Sequence, residues 1–417
     1  MTNLQPVRGT HDLLPEERRR HRYVEDLSRN IAVLYGFEEI ATPVFEFTEV
    51  FARTLGDTSD IVTKEMYTFE TKGGESITLR PEGTAGVARA FISNGLAQHS
   101  PLKFFYNGPM FRHERPQKGR QRQFHQIGVE LIGVESPQAD IEVIALAQQI
   151  LDGLGLSEYT TLELNSLGDV ESRTAFRDVL TAYFQSHESH LSSDSKARLA
   201  KNPLRIFDSK DDEDRKIVAG APNFADYLND SSKEFIDTVQ QGLSDLGIDF
   251  VRNTNLVRGL DYYCHTAFEF TTTALGAQGT VLAGGRYDGL IKQMGGPATP
   301  GVGWAAGIER LAMLSDRQAA VIRPVAVVPV SAELLSQAQS MTQALRNTGL
   351  SIDLAFSGNM KKRLKRADKV NACAAVIIGE DELKDGKVVL RDLDSGEQEV
   401  VAVDAIADIL RSKTYGV

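Results

Sequence analysis

Residues 110–130 read MFRHERPQKGRQRQFHQIGVE, two extended runs joined by a loop dense in arginine and lysine. Strand side chains alternate between faces. On the second run Ile127, Val129 and Leu131 share one face, while Phe124, Gln126, Gly128 and Glu130 share the other. An ordinary half-buried strand shows water a mixture of replaceable polar residues. This one shows a ring, an amide, a bare glycine and a carboxylate, in line with Arg112 and Glu114 of the first run. The gap at Gly128 predicts room for a ligand lying on the sheet. A planar guanidinium suits phosphate, and Phe124 offers a flat surface to a base. The alternative is a solvated hairpin with a charged tip.

Composition narrows the class. A chain of 417 residues predicts two or three domains, and 41% apolar with 25% charged residues is ordinary for a globular protein. Two cysteines, Cys264 and Cys373, exclude a disulfide framework and point to a reducing compartment. The first residues carry no apolar signal-peptide core, and no apolar run approaches the ~20 residues that span a bilayer. A cytoplasmic protein without membrane attachment is expected. The net charge of −11 argues against nucleic-acid binding by the whole surface. It leaves two basic clusters, 112–122 and 361–366, the second readable as a docking face or as a solvated helix face.

Working outward, 16–35 predicts a helix with Val24, Leu27, Ile31 and Leu34 at helical spacing. The extended stretch after Gly36 contains Pro43, which belongs at an edge or bulge. It suits a subunit contact or a capped edge in a monomer. Residues 67–70 and 76–79 predict a hairpin running into Arg80-Pro81-Glu82-Gly83-Thr84 and a helix over 85–93, with Thr84 as its N-cap. Glu82 could answer the helix dipole or hold a ligand ammonium. Helix at 141–151 and strand at 162–169 follow. From about 170 to 252 the chain turns helical and charged and reads as an insertion. The glycine-rich segments 256–263, 283–289 and 301–311 come next. Residues 301–311 lack the spacing of a dinucleotide fingerprint, and no phosphate loop is present. After a linker near 315–323, residues 325–417 alternate strand and helix, predicting a mostly parallel sheet. The histidines and cysteines show neither HExxH nor CxxC, so no metal site built from protein side chains is expected. His113 and His125, flanking the basic loop, are expected to be structural.

Together these segments resemble the histidyl-tRNA synthetase family of class II aminoacyl-tRNA synthetases. Residues 36–51 around Pro43 resemble class II motif 1, 111–124 motif 2, and 301–311 motif 3. LVRGLDYY at 256–263 and AGGRYDG at 283–289 resemble the histidine-specific signatures, and the resemblance spans essentially the whole chain. It implies an α+β fold: an antiparallel catalytic sheet of six to seven strands with flanking helices over 1–320, a helical insertion at about 170–252, and a C-terminal α/β anticodon-binding domain over 325–417. It implies a homodimer acting on L-histidine, ATP and tRNA(His), with Mg²⁺ bound mainly through the ATP phosphates. Histidine would attack the α-phosphate to give histidyl-adenylate, and the tRNA 3′ ribose would then take the histidyl group.

The resemblance places Arg258 and Arg112 at the α-phosphate and the histidine carboxylate. Arg120 and Arg310 fall at the γ-phosphate, Glu114 at the adenine edge and Phe124 under the ring. Glu82, Thr84 and Gln126 would take the ammonium; Glu130 and Tyr263, beside Tyr262, would take the imidazole. For tRNA it implies Arg115 and Gln117 at the acceptor end and Lys361, Lys362, Arg363 and Lys365 at the anticodon stem. The rival is a non-catalytic, histidine-sensing regulatory subunit of ATP phosphoribosyltransferase. Such chains usually lack the C-terminal domain and break the nucleotide-binding arginines, whereas Arg112, Arg258 and Arg310 all stand here.

Overall fold

The computed structural model describes residues 4–415 apart from 56–64, 117–118, 202, 210, 255, 257–261 and 276–278. Two compact units emerge, Met1–Ala319 and Ala320–Val417. Strands of the first unit are β1 (Glu38–Glu39), β2 (Phe45–Phe47), β3 (Tyr67–Glu70), β4 (Ser76–Leu79), β5 (Leu102–Phe111), β6 (Gln123–Ile132), β7 (Thr161–Ser166), β8 (Val251–Arg252), β9 (Cys264–Thr271), β10 (Thr280–Arg286) and β11 (Gly301–Gly307). The large sheet runs β1-β5-β6-β11-β10-β9-β7-β8. Its six inner strands are antiparallel, and two-residue parallel strands close the edges.

The alternation read from β6 divides the molecule. Ile127, Val129 and Leu131 enter the main core with Val143, Leu146 and Ile150 of the helix Gln138–Gly153, and with Val24 and Ile31 of the helix Pro15–Leu34. Leu34 breaks the expected stripe: it is the last residue of the helix and is 74% exposed. Phe124 on the opposite face joins a second core of Phe51, Phe91, Tyr106, Tyr262, Tyr263 and Tyr287. The inserted segment has its own cluster around Phe176, Leu180 and Phe184. There the buried Asp214 carboxylate gathers hydroxyls of Ser192 (2.7 Å), Ser195 (2.6 Å) and Ser209 (2.6 Å). Its last helix, Asp230–Asp245, instead sends Ile236, Val239 and Leu243 into the main core, so this helix packs with the large sheet.

The small sheet β2-β4-β3 is inverted relative to a usual surface sheet. Glu46 and Thr78 face inward, with Glu46 8% exposed and held by Arg89. Phe45, Phe47 and Phe69, on the other side, are 52%, 53% and 48% exposed.

In the second unit β12 (Val325–Pro329), β13 (Ile352–Leu354), β14 (Ala374–Ile378), β15 (Lys387–Asp392) and β16 (Gln398–Ala402) form a sheet ordered β13-β12-β14-β15-β16. The expected mostly parallel sheet is mixed. Only β12, β13 and β14 run parallel; β15 returns antiparallel to β14 after the five-residue helix Glu380–Lys384, too short for a crossover, and a turn joins it to antiparallel β16.

Arg286 of the AGGRYDG segment is scaffolding. Its guanidinium is fully buried against Asp140 and donates to the Val134 carbonyl (2.9 Å) and Asp288 (3.1 Å). Removing one member leaves an uncompensated buried charge. Asp140→Ala is expected to cost about 3–5 kcal/mol of unfolding free energy, read from urea midpoints. A loss below ~1 kcal/mol would contradict this role.

Candidate active site

Glu82 ends the extended segment after β4. It does not precede a Thr84 cap as expected: Gly83 is the N-cap of the helix Thr84–Ser93, and the Glu82 carboxylate accepts the N–H of Thr84 (2.6 Å) and Ala85 (2.9 Å). Thr84, freed from capping, donates its hydroxyl to Glu130 at 2.7 Å. The other Glu130 oxygen accepts from the Tyr287 hydroxyl. Glu130 is thus fully buried yet hydrogen-bonded, which is how a polar group survives in an interior.

The glycines of the sheet admit protein side chains. The space over Gly128, expected to receive a ligand, holds the ring of Tyr106, its direct partner across β5 and β6. Likewise a Cβ at Gly303 would collide with the Glu130 carboxylate, and one at Gly285 would meet Tyr263 at 2.9 Å. Tyr263, Tyr262 and Tyr287 form an aromatic wall, with ring centroids 4.6 Å and 6.0 Å from Tyr262. Gln126 shares the face, and its side-chain oxygen is buried without a hydrogen-bond partner.

At the loop end of β5 and β6 the charge changes sign. The Nε of Arg112 donates to the Pro81 carbonyl at 2.9 Å, and its guanidinium lies 5.3 Å from the centre of the Phe124 ring. Arg310 donates from Nε to Gly119 at 3.3 Å and also holds the Thr280 carbonyl. Burial, then the positive charges of Arg120 and Arg112, lower the Arg310 pKa, so three guanidinium groups share this space. Glu114 and Arg120, read from sequence as serving opposite ends of a nucleotide, form an ion pair at 2.9 Å. Glu309 fixes the neighbouring helix by accepting the backbone N–H of His125 at 2.9 and 3.0 Å.

The structure therefore brings together Glu82, Thr84, Gln126, Glu130, Tyr262 and Tyr263 as an acidic, aromatic pole, and Arg112, Glu114, Arg120, Phe124 and Arg310 as a cationic one. Arg115 is exposed beside the latter, while Arg258 and Gln117 lie outside the described residues. In the second unit Lys361, Lys362 and Lys365 are exposed on the helix Met360–Lys369. Arg363 must be taken off that face. It is 3% exposed and donates to the carbonyls of Pro329 and Ser331, because its helical position points at the sheet. Tyr106 and Tyr287 were missed as site residues; the tyrosine inside the glycine-rich 283–289 segment was the available signal.

A family model described as histidyl-tRNA synthetase matches residues 9–311, and one described as an anticodon binding domain matches 324–413. A histidine–tRNA ligase of Rhodospirillum rubrum is 61% identical over 98% of this chain and 99% of its own. The crystal structure of apo histidyl-tRNA synthetase from S. aureus is 35% identical, with a TM-score of 0.83 over 98% of this chain and 99% of that one. A structure described as an ATP phosphoribosyltransferase regulatory subunit/histidyl-tRNA synthetase from Bacillus halodurans is 23% identical, with a TM-score of 0.63 over 85% of this chain and 93% of that one, a likeness of fold.

Burial holds the Glu130 pKa at about 8, against 4.5 for a free glutamate; the Tyr287 and Thr84 hydroxyls work against that rise, and the charge of Glu82 adds to it. The folded chain keeps a proton that the unfolded chain loses near the lower value. The stability from that proton is complete below the unfolded pKa and is lost as pH climbs through about 8. Urea midpoints at about pH 5 and pH 8 should fall clearly for the native chain and more gently for Glu130→Gln. Parallel falls would place the proton elsewhere.

Proposed function

This chain belongs to the histidyl-tRNA synthetase family, and on that premise we propose how its two poles divide the substrates. The enzyme ligates L-histidine to its tRNA with ATP, through histidyl-adenylate. The observation that carries the assignment of residues is the buried Glu82 carboxylate, which feels the charge of Arg112 on one side and that of Glu130 on the other.

Glu82, Thr84 and Gln126 take the histidine ammonium. Glu130 and Tyr263, backed by Tyr262, take the two imidazole nitrogens. An imidazole N–H presented to Glu130 favours the carboxylate form, so a group protonated in the free site becomes an acceptor on binding. An analogue without ring nitrogens would leave these buried groups unpaired, which supports discrimination of roughly 10⁴–10⁵ by binding alone.

The histidine carboxylate is ionised at neutral pH and attacks the α-phosphorus; pyrophosphate leaves, so no general base is required. Negative charge growing on the α-phosphoryl oxygens is met by Arg112, held in place by Pro81, and by Arg258. Arg310 and Arg120 hold the γ-phosphate end, Phe124 supports the adenine, and Glu114 reads its edge once ATP opens the Glu114–Arg120 pair. Mg²⁺ would be held mainly through the phosphates. Glu269, near Arg310, is the hard oxygen donor that would fit it, and the ion would there offset the charge on the departing pyrophosphate. The tRNA 3′ ribose then attacks the histidyl carbonyl and AMP leaves. Arg115 and Gln117 contact the acceptor end of the tRNA. Lys361, Lys362 and Lys365 meet the anticodon stem, an electrostatic contact that salt weakens.

A regulatory, non-catalytic role is less well supported, since residues 324–413 match an anticodon binding domain and Arg112 and Arg310 stand at the cationic pole. Among the described residues no helix is long and apolar enough to cross a membrane.

Histidine-dependent ATP–pyrophosphate exchange is expected without tRNA, with other amino acids at background. Arg112→Ala is expected to lower kcat at least a hundredfold, about 2.7 kcal/mol. Tight histidine binding with no exchange would favour the sensor.

The outward phenylalanines of β2 and β3 support a homodimer through this sheet, since an exposed apolar face rimmed by charge marks an association surface. Phe47→Glu is expected to convert the dimer to monomer in sedimentation. An unchanged sedimentation coefficient would move the interface elsewhere.

A further inference from the structure

We propose that His21, His125 and Glu309 form a binding site for a divalent transition-metal ion of the zinc class, behind the cationic pole. One ring nitrogen from each histidine and one Glu309 oxygen lie within 4.8 Å of one another. A shared ion with bonds of about 2.0–2.2 Å holds its ligand atoms roughly 3–4 Å apart, so the three atoms need draw in by only about an ångström on binding.

Two further observations favour a ligand over plain packing. His21 is 2% exposed, and its Nδ1 has no hydrogen-bond partner. A buried polar atom left unpaired is costly and uncommon. Its ring meets His125 edge-to-face at 5.7 Å, a contact any flat ring could make, so packing leaves the nitrogen unexplained. The other two ligands are already held in place. Glu309 receives the His125 N–H through both oxygens and touches its Nδ1 at 2.9 Å. Such fixing of ligands in advance is what a metal site needs.

The site also has access. His21 and Glu309 line a cavity of about 620 Å³ together with His11, Glu17, Gly119 and Met313. Other charges on the wall are committed: His11 to Glu17 at 3.1 Å, and Arg20 to Glu16 at 3.0 Å. Water from the cavity can complete the coordination of three protein ligands. Two imidazoles with one carboxylate select zinc, cobalt or nickel over Mg²⁺, which prefers oxygen, so this ion is distinct from the one accompanying ATP.

The position gives the ion a structural consequence. It joins the helix Pro15–Leu34 to β6 and to the helix Ile308–Leu314. Glu309 precedes Arg310, and Gly119, on the cavity wall, accepts from Arg310 at 3.3 Å. Binding therefore stiffens the support of the γ-phosphate arginine.

The test uses full-length protein stripped by a chelator and titrated with Co²⁺ alone, followed by visible absorption, with Zn²⁺ in parallel by equilibrium dialysis. One ion per chain with ligand-field bands is expected, together with a higher thermal midpoint. His21→Phe keeps a flat ring in place and is expected to weaken binding at least tenfold. The double variant His99→Ala/His190→Ala, at exposed positions, should bind as the native chain does. Absence of bands, equal binding by native chain and His21→Phe, or loss only in the double variant overturns the proposal. Should His21→Phe not fold, zinc-edge X-ray absorption of the native complex decides: two imidazoles support the site, and one or none rejects it.

Discussion

The first unit is built around a carboxylate that the sheet has no obvious room for. Glu130 lies on the floor of the site with no exposure to water, in a position open only because Gly303 on the next strand has no side chain. Burying such a group is costly unless its oxygens are occupied. Thr84 and Tyr287 occupy them, and in doing so they tie the helix after β4 and the end of β10 to β6. Thr84 is available because Glu82 has taken over the capping of that helix. One buried acid thus sets the positions of three elements.

Charge is separated along the same face. Glu82 and Glu130 stand near each other among tyrosines, where desolvation raises both pKa values and so penalises the charged carboxylates. At the loop end Arg112, Arg120 and Arg310 repel one another, a burden relieved by a polyanion. A zwitterion placed between the poles presents its ammonium to one and its carboxylate to the other. Preorganisation of this kind leaves little to rearrange at the moment of reaction.

The supports of these poles are polar groups deep in the scaffold: Arg286 with Asp140, Glu309 with the His125 backbone, Glu46 with Arg89. Each joins elements distant in sequence, and each explains a charged residue that charge patterning alone would assign to the surface. The inverted small sheet follows the same logic, with its charge turned inward and its rings outward. In the proposed homodimer a second copy of the chain would cover this face.

Much of this was legible in the residues alone. The period-two pattern of 124–131 separated the two cores correctly, since alternation is a property of the strand itself. The helix at 15–34, the hairpin over β3 and β4, and the family signatures are local too. Gly128 was misread because its space belongs to Tyr106, and only strand register makes those two residues opposite. Arg363 was misread because charge density does not say which side of a helix meets a sheet. His21, His125 and Glu309 carried no spacing signal, the last two lying 184 positions apart. Side-chain chemistry and local periodicity are written in consecutive residues, so the sequence by itself determined the class of fold, the family and the reaction. Which groups are buried, paired or left open depends on contacts between strands and helices remote along the chain, and those were decided only when the tertiary structure brought them together.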